Sequence, residues 1–152
     1  MTAMRSLVEA NELASLTQYL LEEIKRLAGA GAEFGFMASN TPHIVFDSVR
    51  RQSPIPLISI VEATCQAAQG QGLKRLALFG TRFTMQGEFY PQVFSRAGIA
   101  LVVPSTDEQA YIHDKYMNEL VLGAFLPETR AGLLAIADRM RERDKRADSG
   151  RH

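Results

Sequence analysis

Cysteine is almost missing from this sequence: Cys65 is the single one among 152 residues. One thiol cannot build a disulfide framework within the chain or a zinc site of several cysteines, and a reducing compartment is the simpler setting. A surplus of either charge is missing too, because 17 basic and 17 acidic side chains cancel to a formal net charge of zero. A general binder of nucleic acid or of an anionic membrane needs a basic excess, so both partner classes are set aside. No apolar run reaches membrane-spanning length, and the first residues lack the basic-then-apolar order of a signal peptide. The expected location is the cytoplasm. What is present is 46 % hydrophobic and 22 % charged, the composition of a globular chain. A chain of this length buries about two-thirds of its unfolded surface, enough for one ordinary domain or two small ones.

Apolar spacing supplies the elements. Leu13, Leu16, Leu20, Ile24 and Leu27 recur at helical steps, with Asn11 as a plausible cap and Gly29 and Gly31 as stops. Residues 33–38, Glu-Phe-Gly-Phe-Met-Ala, are short and apolar and predict a buried strand. It runs into Ser39-Asn40-Thr41-Pro42-His43, where Thr41 can cap a helix with Pro42 in its first turn. That helix carries Val45, Phe46 and Val49 and stops before Ser53-Pro54. A second helix presents Val61, Cys65 and Ala68 on one face and closes at Gly70 and Gly72.

The order then repeats. Residues 73–79 predict a strand without polar alternation, as when both faces are covered. It delivers Gly80-Thr81-Arg82-Phe83-Thr84 and a helix with Met85, Phe89, Val93 and Ala97 inward. Residues 99–103 predict another strand. Thr106 with Gln109 predicts a capping box for a helix bearing Ile112, Tyr116 and Leu120, and a last helix from Pro127 uses Leu133, Ile136, Ala137 and Met140. Strands alternating with helices imply an α/β fold, parallel sheets with flanking helices in two similar Rossmann-like halves. The expected division is residues 1–72, residues 73–143 and a charged tail, 144–152. From Arg139 onward six basic and three acidic side chains follow, read as a solvated end rather than a binding arm.

Two loops stand where open α/β sheets receive ligands, after the carboxyl ends of strands: Ser39-Asn40-Thr41 and Gly80–Thr84. Small hydroxyl and amide side chains beside helix-start N–H groups suit a carboxylate or phosphate. Neither loop has the glycine count of a dinucleotide or Walker loop. Taken alone, each reads first as ordinary helix capping.

Taken together, the loops and their flanks carry a resemblance. Ala38-Ser39-Asn40-Thr41-Pro42-His43 is similar to the Cys-Asn-Thr-x-His segment of the aspartate/glutamate racemase family, and Gly80–Thr84 to its Gly-Thr-x-x-Thr loop. Gly98-Ile99, Val102-Val103-Pro104, residues 116–123 and Pro127-Glu128-Thr129-Arg130 resemble the rest of its pattern, in order and spacing. The resemblance covers roughly residues 10–143.

It implies two similar α/β domains around a cleft and an amino-acid racemase that inverts Cα by two-base proton transfer without cofactor or metal. One group removes the proton and another returns one on the opposite face. The family's usual acid/base groups are two thiols, tuned near neutrality. On this chain the resemblance places Ser39 at the first catalytic position, Asn40, Thr41, Thr81 and Thr84 around the substrate, and His43 either toward the cleft or on a helix-end surface. The implied partner is a small amino acid or related carboxylate, with a homodimer left open.

Three departures qualify it. Ser39 replaces a cysteine, and a hydroxyl is a weak base unless a neighbour takes its proton. The Gly-Cys-Thr-Glu-type segment expected after the helix over residues 131–143 is not in the sequence, nor is the family's opening strand with its Gly-Gly loop. The chain therefore reads as incomplete relative to the family. The alternative function is a catalytically impaired fragment or a carboxylate-binding protein lacking the second acid/base. Cys65 lies mid-helix on the Val61–Ala68 stripe and reads as a buried small hydrophobe rather than that missing group. Val121, two positions before Gly123, stands where a basic residue is expected for acidic substrates, which disfavours a second substrate carboxylate.

Overall fold

The computed structural model describes residues 2–149. Helices α1 (Thr2–Glu9) and α2 (Leu13–Gly29) lead to β1 (Gly35–Phe36). A 3-10 turn (Thr41–Val45) runs into α3 (Phe46–Gln52), then β2 (Leu57–Ile58) and α4 (Ile60–Gly70). The later part contains β3 (Arg75–Ala77), α5 (Arg82–Gln86), α6 (Phe89–Arg96), β4 (Ala100–Val102), α7 (Thr106–Asn118), a 3-10 turn (Leu120–Leu122) and α8 (Pro127–Ser149). The fold is α/β, mostly helical, with two short parallel sheets, β1–β2 and β3–β4.

The two sheets are covered differently. In the first, Gly35 pairs with Leu57 and Phe36 with Ile58. Successive strand residues point to opposite faces, so Met37, Ile55 and Leu57 pack into a core with Leu16, Leu20, Leu21, Ile24, Val45 and Val49. Phe34, Phe36 and Ile58 share the other face and are exposed. The expectation of a buried strand holds on one face only, because among the described residues helices cover a single side of this sheet. In the second sheet, Leu76, Leu78 and Leu101 pack on α4 and α6 through Val61, Cys65, Phe94 and Ile99. Phe79 and Val102 pack on the opposite side against Ile112, Ile136 and Met140 of α7 and α8.

Val61, Cys65 and Ala68 thus belong to the second core, although α4 precedes Gly72. Cys65 is buried there as a small apolar group. Asp144, which the sequence reading assigns to the tail, lies within α8 and forms an ion pair with Arg75 of β3. Residues 150–152 lie outside the described residues.

Several local expectations shift for identifiable reasons. Asn11 does not cap α2: it takes φ +56°, a left-handed turn that asparagine tolerates, and Glu12 occupies the cap position without a side-chain bond. Leu27 is 53 % exposed and Leu21 takes its place inside. The capping box of α7 falls one residue earlier than expected, at Ser105 and Glu108, both of its bonds being present. The helix expected to carry Met85 through Ala97 is two helices. A Cβ on Gly87 would lie 2.7 Å from the Phe83 carbonyl oxygen, so only glycine fits this break. Tyr90 and Phe94 then face inward more fully than Phe89 and Val93. Tyr116 and Ala137, expected inside, are exposed.

Candidate active site

The strand-end loops of the two sheets meet. Thr41 Oγ1 and Thr81 Oγ1 share a hydrogen bond of 3.0 Å, and the Tyr90 hydroxyl on α6 donates to Asn40 Oδ1 at 2.5 Å. Both bonds join residues of the first loop to residues beyond β3.

Each loop is locally determined. Thr81, in extended conformation, caps α5: its Oγ1 accepts from the Thr84 N–H at 3.3 Å and lies 3.2 Å from Thr84 Oγ1. Thr81 and Thr84 are both buried. Gly80 makes this tightness possible, since a Cβ there would sit 3.1 Å from Thr84 Cβ. The Gly-Thr-x-x-Thr spacing is the spacing of this turn. In the first loop Thr41 does not serve as the expected cap: Asn40 holds that position without a side-chain cap bond, and the Thr41 hydroxyl turns to Thr81 instead. Pro42 fits because its first-turn position needs no N–H.

His43 is buried at 2 % exposure, which removes the surface-histidine alternative. Its Nδ1 donates to the Ser39 carbonyl at 2.9 Å, and its ring stacks on Phe46 with centroids 5.0 Å apart. Burial holds its pKa below the ordinary 6.5, against smaller opposing contributions from the Ser39 and Asn40 main chain. The ring is therefore neutral at pH 7 and grips the backbone of Ser39 rather than its hydroxyl. Ser39 is half-buried and Asn40 exposed, so the first loop opens to solvent.

Tyr90 is the residue that sequence reasoning passes over. Burial raises its phenol pKa, so it stays protonated and can only help Asn40 by donating. Because it occupies Asn40 Oδ1, the amide N–H₂ is left as the group Asn40 offers outward. The available signal was a hydroxyl-bearing aromatic four residues before Phe94 on the inward face of a helix that follows the loop. Among the described residues, no three His, Cys, Asp or Glu side chains gather where they could hold a metal ion. No helix among them is long and apolar enough to cross a membrane.

Two short parallel sheets, joined at polar loops on their strand ends, define an α/β protein. The chain belongs to the Asp/Glu/Hydantoin racemase family, whose model matches residues 3–149. It is similar to the crystal structure of a candidate Asp/Glu racemase from Yersinia pestis, with TM-score 0.82 and 25 % identity over 93 % of this chain and 62 % of that one. An aspartate racemase homologue from Pyrococcus horikoshii is 34 % identical, with TM-score 0.64, over 72 % of this chain and 48 % of that one. The Picrophilus torridus aspartate racemase shares the fold at TM-score 0.67 and 22 % identity, over 84 % of this chain and 52 % of that one. The chain thus spans between about half and three-fifths of the length of these solved relatives.

Proposed function

We propose that the paired loops hold the α-carboxylate of an amino acid or close derivative, and that Ser39 stands at one face of its Cα in a cofactor-independent racemase site. The observation that carries this reading is the Tyr90–Asn40 hydrogen bond, which fixes the asparagine amide with its N–H₂ free for an anion. Amide donors placed in advance offset the charge that builds on the carboxylate side as Cα loses its proton. Thr41, Thr81 and Thr84 clamp the two loops together, so their part in binding is to keep the wall in place. With Val121 where acidic substrates call for a cation, an uncharged substrate side chain is favoured.

The alternative of a carboxylate-binding protein with impaired catalysis has its own observation. His43 Nδ1 is committed to the Ser39 main chain, so that nitrogen cannot take the Ser39 hydroxyl proton. Inversion needs a second acid/base on the opposite face of Cα, and Ser39 can stand at one face only. Racemisation by it alone should be undetectable or very slow.

Calorimetric titration with a panel of amino acids tests the binding step. Asn40→Ala should lose about 1.5–3 kcal/mol, roughly ten- to a hundredfold in affinity, while Ser39→Ala leaves binding nearly unchanged. Loss of binding in Ser39→Ala with none in Asn40→Ala would reverse the assigned roles. Solvent deuterium incorporation at Cα separates the two readings: exchange without inversion reports one working base, and rapid inversion reports a second.

A further inference from the structure

A small pocket, open to solvent on one side, lies at the seam between the two cores, behind the first loop. Its volume is about 70 Å³, and its walls include His43, Asp47 and Arg50 on one side and Glu62, Gln92 and Arg96 on the other. By the same measure a single water needs roughly 10–15 Å³, so there is room for about five water-sized groups.

Two buried nitrogens in this wall have no partner, and they differ in kind. His43 gives its Nδ1–H to the Ser39 carbonyl, so in the neutral ring Nε2 is a lone-pair acceptor, buried and unpaired. Arg50 gives an Nη2–H to Glu62 Oε1 at 2.7 Å, while its Nε–H donor is buried and unpaired. Each such group is destabilising while it stays unsatisfied. Neither can swing away easily, because the His43 ring and the Arg50 guanidinium both lie against the Phe46 ring, the latter 4.4 Å from its centroid. Around them stand two cations, Arg50 and Arg96, and two carboxylates, Asp47 and Glu62. A net-neutral wall with one unmet donor and one unmet acceptor favours neither an anion nor a cation. It matches a molecule that carries both charges.

We propose that this seam cavity binds a small zwitterion of glycine or alanine size. Its carboxylate faces Arg50 Nε–H and Arg96, and its ammonium faces His43 Nε2 and Asp47. The site does not depend on the racemase reading of the loops. It does touch them, since His43 holds the Ser39 carbonyl with its other nitrogen. An occupant that fixes the imidazole also fixes the main chain at Ser39, and the two sites are then linked reciprocally.

The test uses the full chain with nitrogen-15 in its histidine rings, at a pH where His43 is neutral. Glycine should move the His43 Nε2 resonance in a saturable way. Acetate and methylammonium, each carrying half of the charge pattern, should bind at least about tenfold more weakly. Arg50→Gln removes the Nε donor, and Arg96→Gln removes the cation of the α6 wall that faces the same carboxylate. Each should weaken the glycine response about tenfold, while Asn40→Ala leaves it in place. Three results overturn the proposal: no saturable shift, acetate binding as tightly as glycine, or a response lost in Asn40→Ala and kept in Arg50→Gln. Deuterium exchange at Cα in a protein that shows no seam response would leave the loop reading standing and remove only this one.

Discussion

The two sheets are built from the same succession of strand, polar loop and helix, yet one is a two-layer structure and the other a three-layer one. In the second, α4 and α6 cover one face and α7 and α8 the other. In the first, helices cover a single face, and Phe34, Phe36 and Ile58 remain 59 %, 63 % and 49 % exposed on the other. Parallel strands are ordinarily buried on both sides. The difference teaches that an apolar strand declares its need for two covering layers without declaring that both are present.

The widest energetic gap should separate an aromatic of each sheet region. Phe94 is 1 % exposed in the second core, and Phe94→Ala should cost about 3–5 kcal/mol in urea denaturation. Phe36→Ser removes a ring already in water and should change stability by no more than about 0.5 kcal/mol. Equal losses would break the comparison, because they would mean that the first sheet's open face is covered in solution.

A smaller gap is expected between glycines. Gly87→Ala drives a methyl to within 2.7 Å of a backbone oxygen that cannot yield, which should cost about 2–3 kcal/mol. At Gly35 the nearest obstacle is the Leu57 side chain at 3.3 Å, which can turn aside, so Gly35→Ala should cost under about 1 kcal/mol. Thermal unfolding of the two variants ranks them directly.

Two buried groups should also lose their contributions at different acidities. Glu108 ties α7 to α8, and its bonds to Arg143 and then Arg139, working against burial, hold its pKa down to about 2 from 4.5. A depressed carboxylate stabilises the fold above about pH 4.5 and loses that contribution as pH falls toward 2. Allowing for solvent at the half-exposed arginines, Glu108→Gln should cost about 2 kcal/mol at pH 7 and almost nothing near pH 2. The pKa of His43 is lowered by burial, so acid should begin to destabilise the fold around it as pH drops below 6.5. In denaturation midpoints across pH 2–8, the deficit of Glu108→Gln should therefore close as pH falls below about 4.5, while the difference between His43→Asn and the parent should change as pH falls below 6.5. A single shared window would mean that these two groups do not titrate as their surroundings require.

How much of this was readable beforehand depended on whether the cause was local. The Val61–Cys65–Ala68 stripe, the α2 stripe from Leu13 to Ile24 and the start of α8 at Pro127 follow from spacing along one element, and each stands in the structure. The Gly80–Thr84 turn was legible for the same reason. What spacing could not carry was partnership across the fold. Thr41 reads as a cap until Thr81 arrives from 40 residues away to take its hydroxyl. Tyr90 reads as one more aromatic until Asn40 comes within reach. The capping box moved by one residue because Ser105 and Thr106 are both competent caps, and the tertiary path of α7 chooses between them.

The smallest effects lie at the loops, where two side-chain hydrogen bonds tie Asn40 and Thr41 to Tyr90 and Thr81. Tyr90→Phe removes a donor but keeps the ring that Phe94 and Phe89 pack against, so it should cost about 1 kcal/mol. Asn40 is exposed and can bond to water when its partner is gone, which limits the loss on its side. A double-mutant cycle of Tyr90→Phe with Asn40→Ala should then show a coupling of about 0.5–1.5 kcal/mol, and a cycle of Thr41→Val with Thr81→Val about 0.5–1 kcal/mol. Thr81→Val must be read through the cycle rather than alone, because it also removes the cap of α5. If the halves are one cooperative unit held by their cores, these couplings appear in global unfolding. If the loops are the only tie, breaking both bonds together should instead split unfolding into two transitions. A coupling of zero with a single transition would mean that the loops touch without holding, and the pre-set orientation of the Asn40 amide would lose its physical basis.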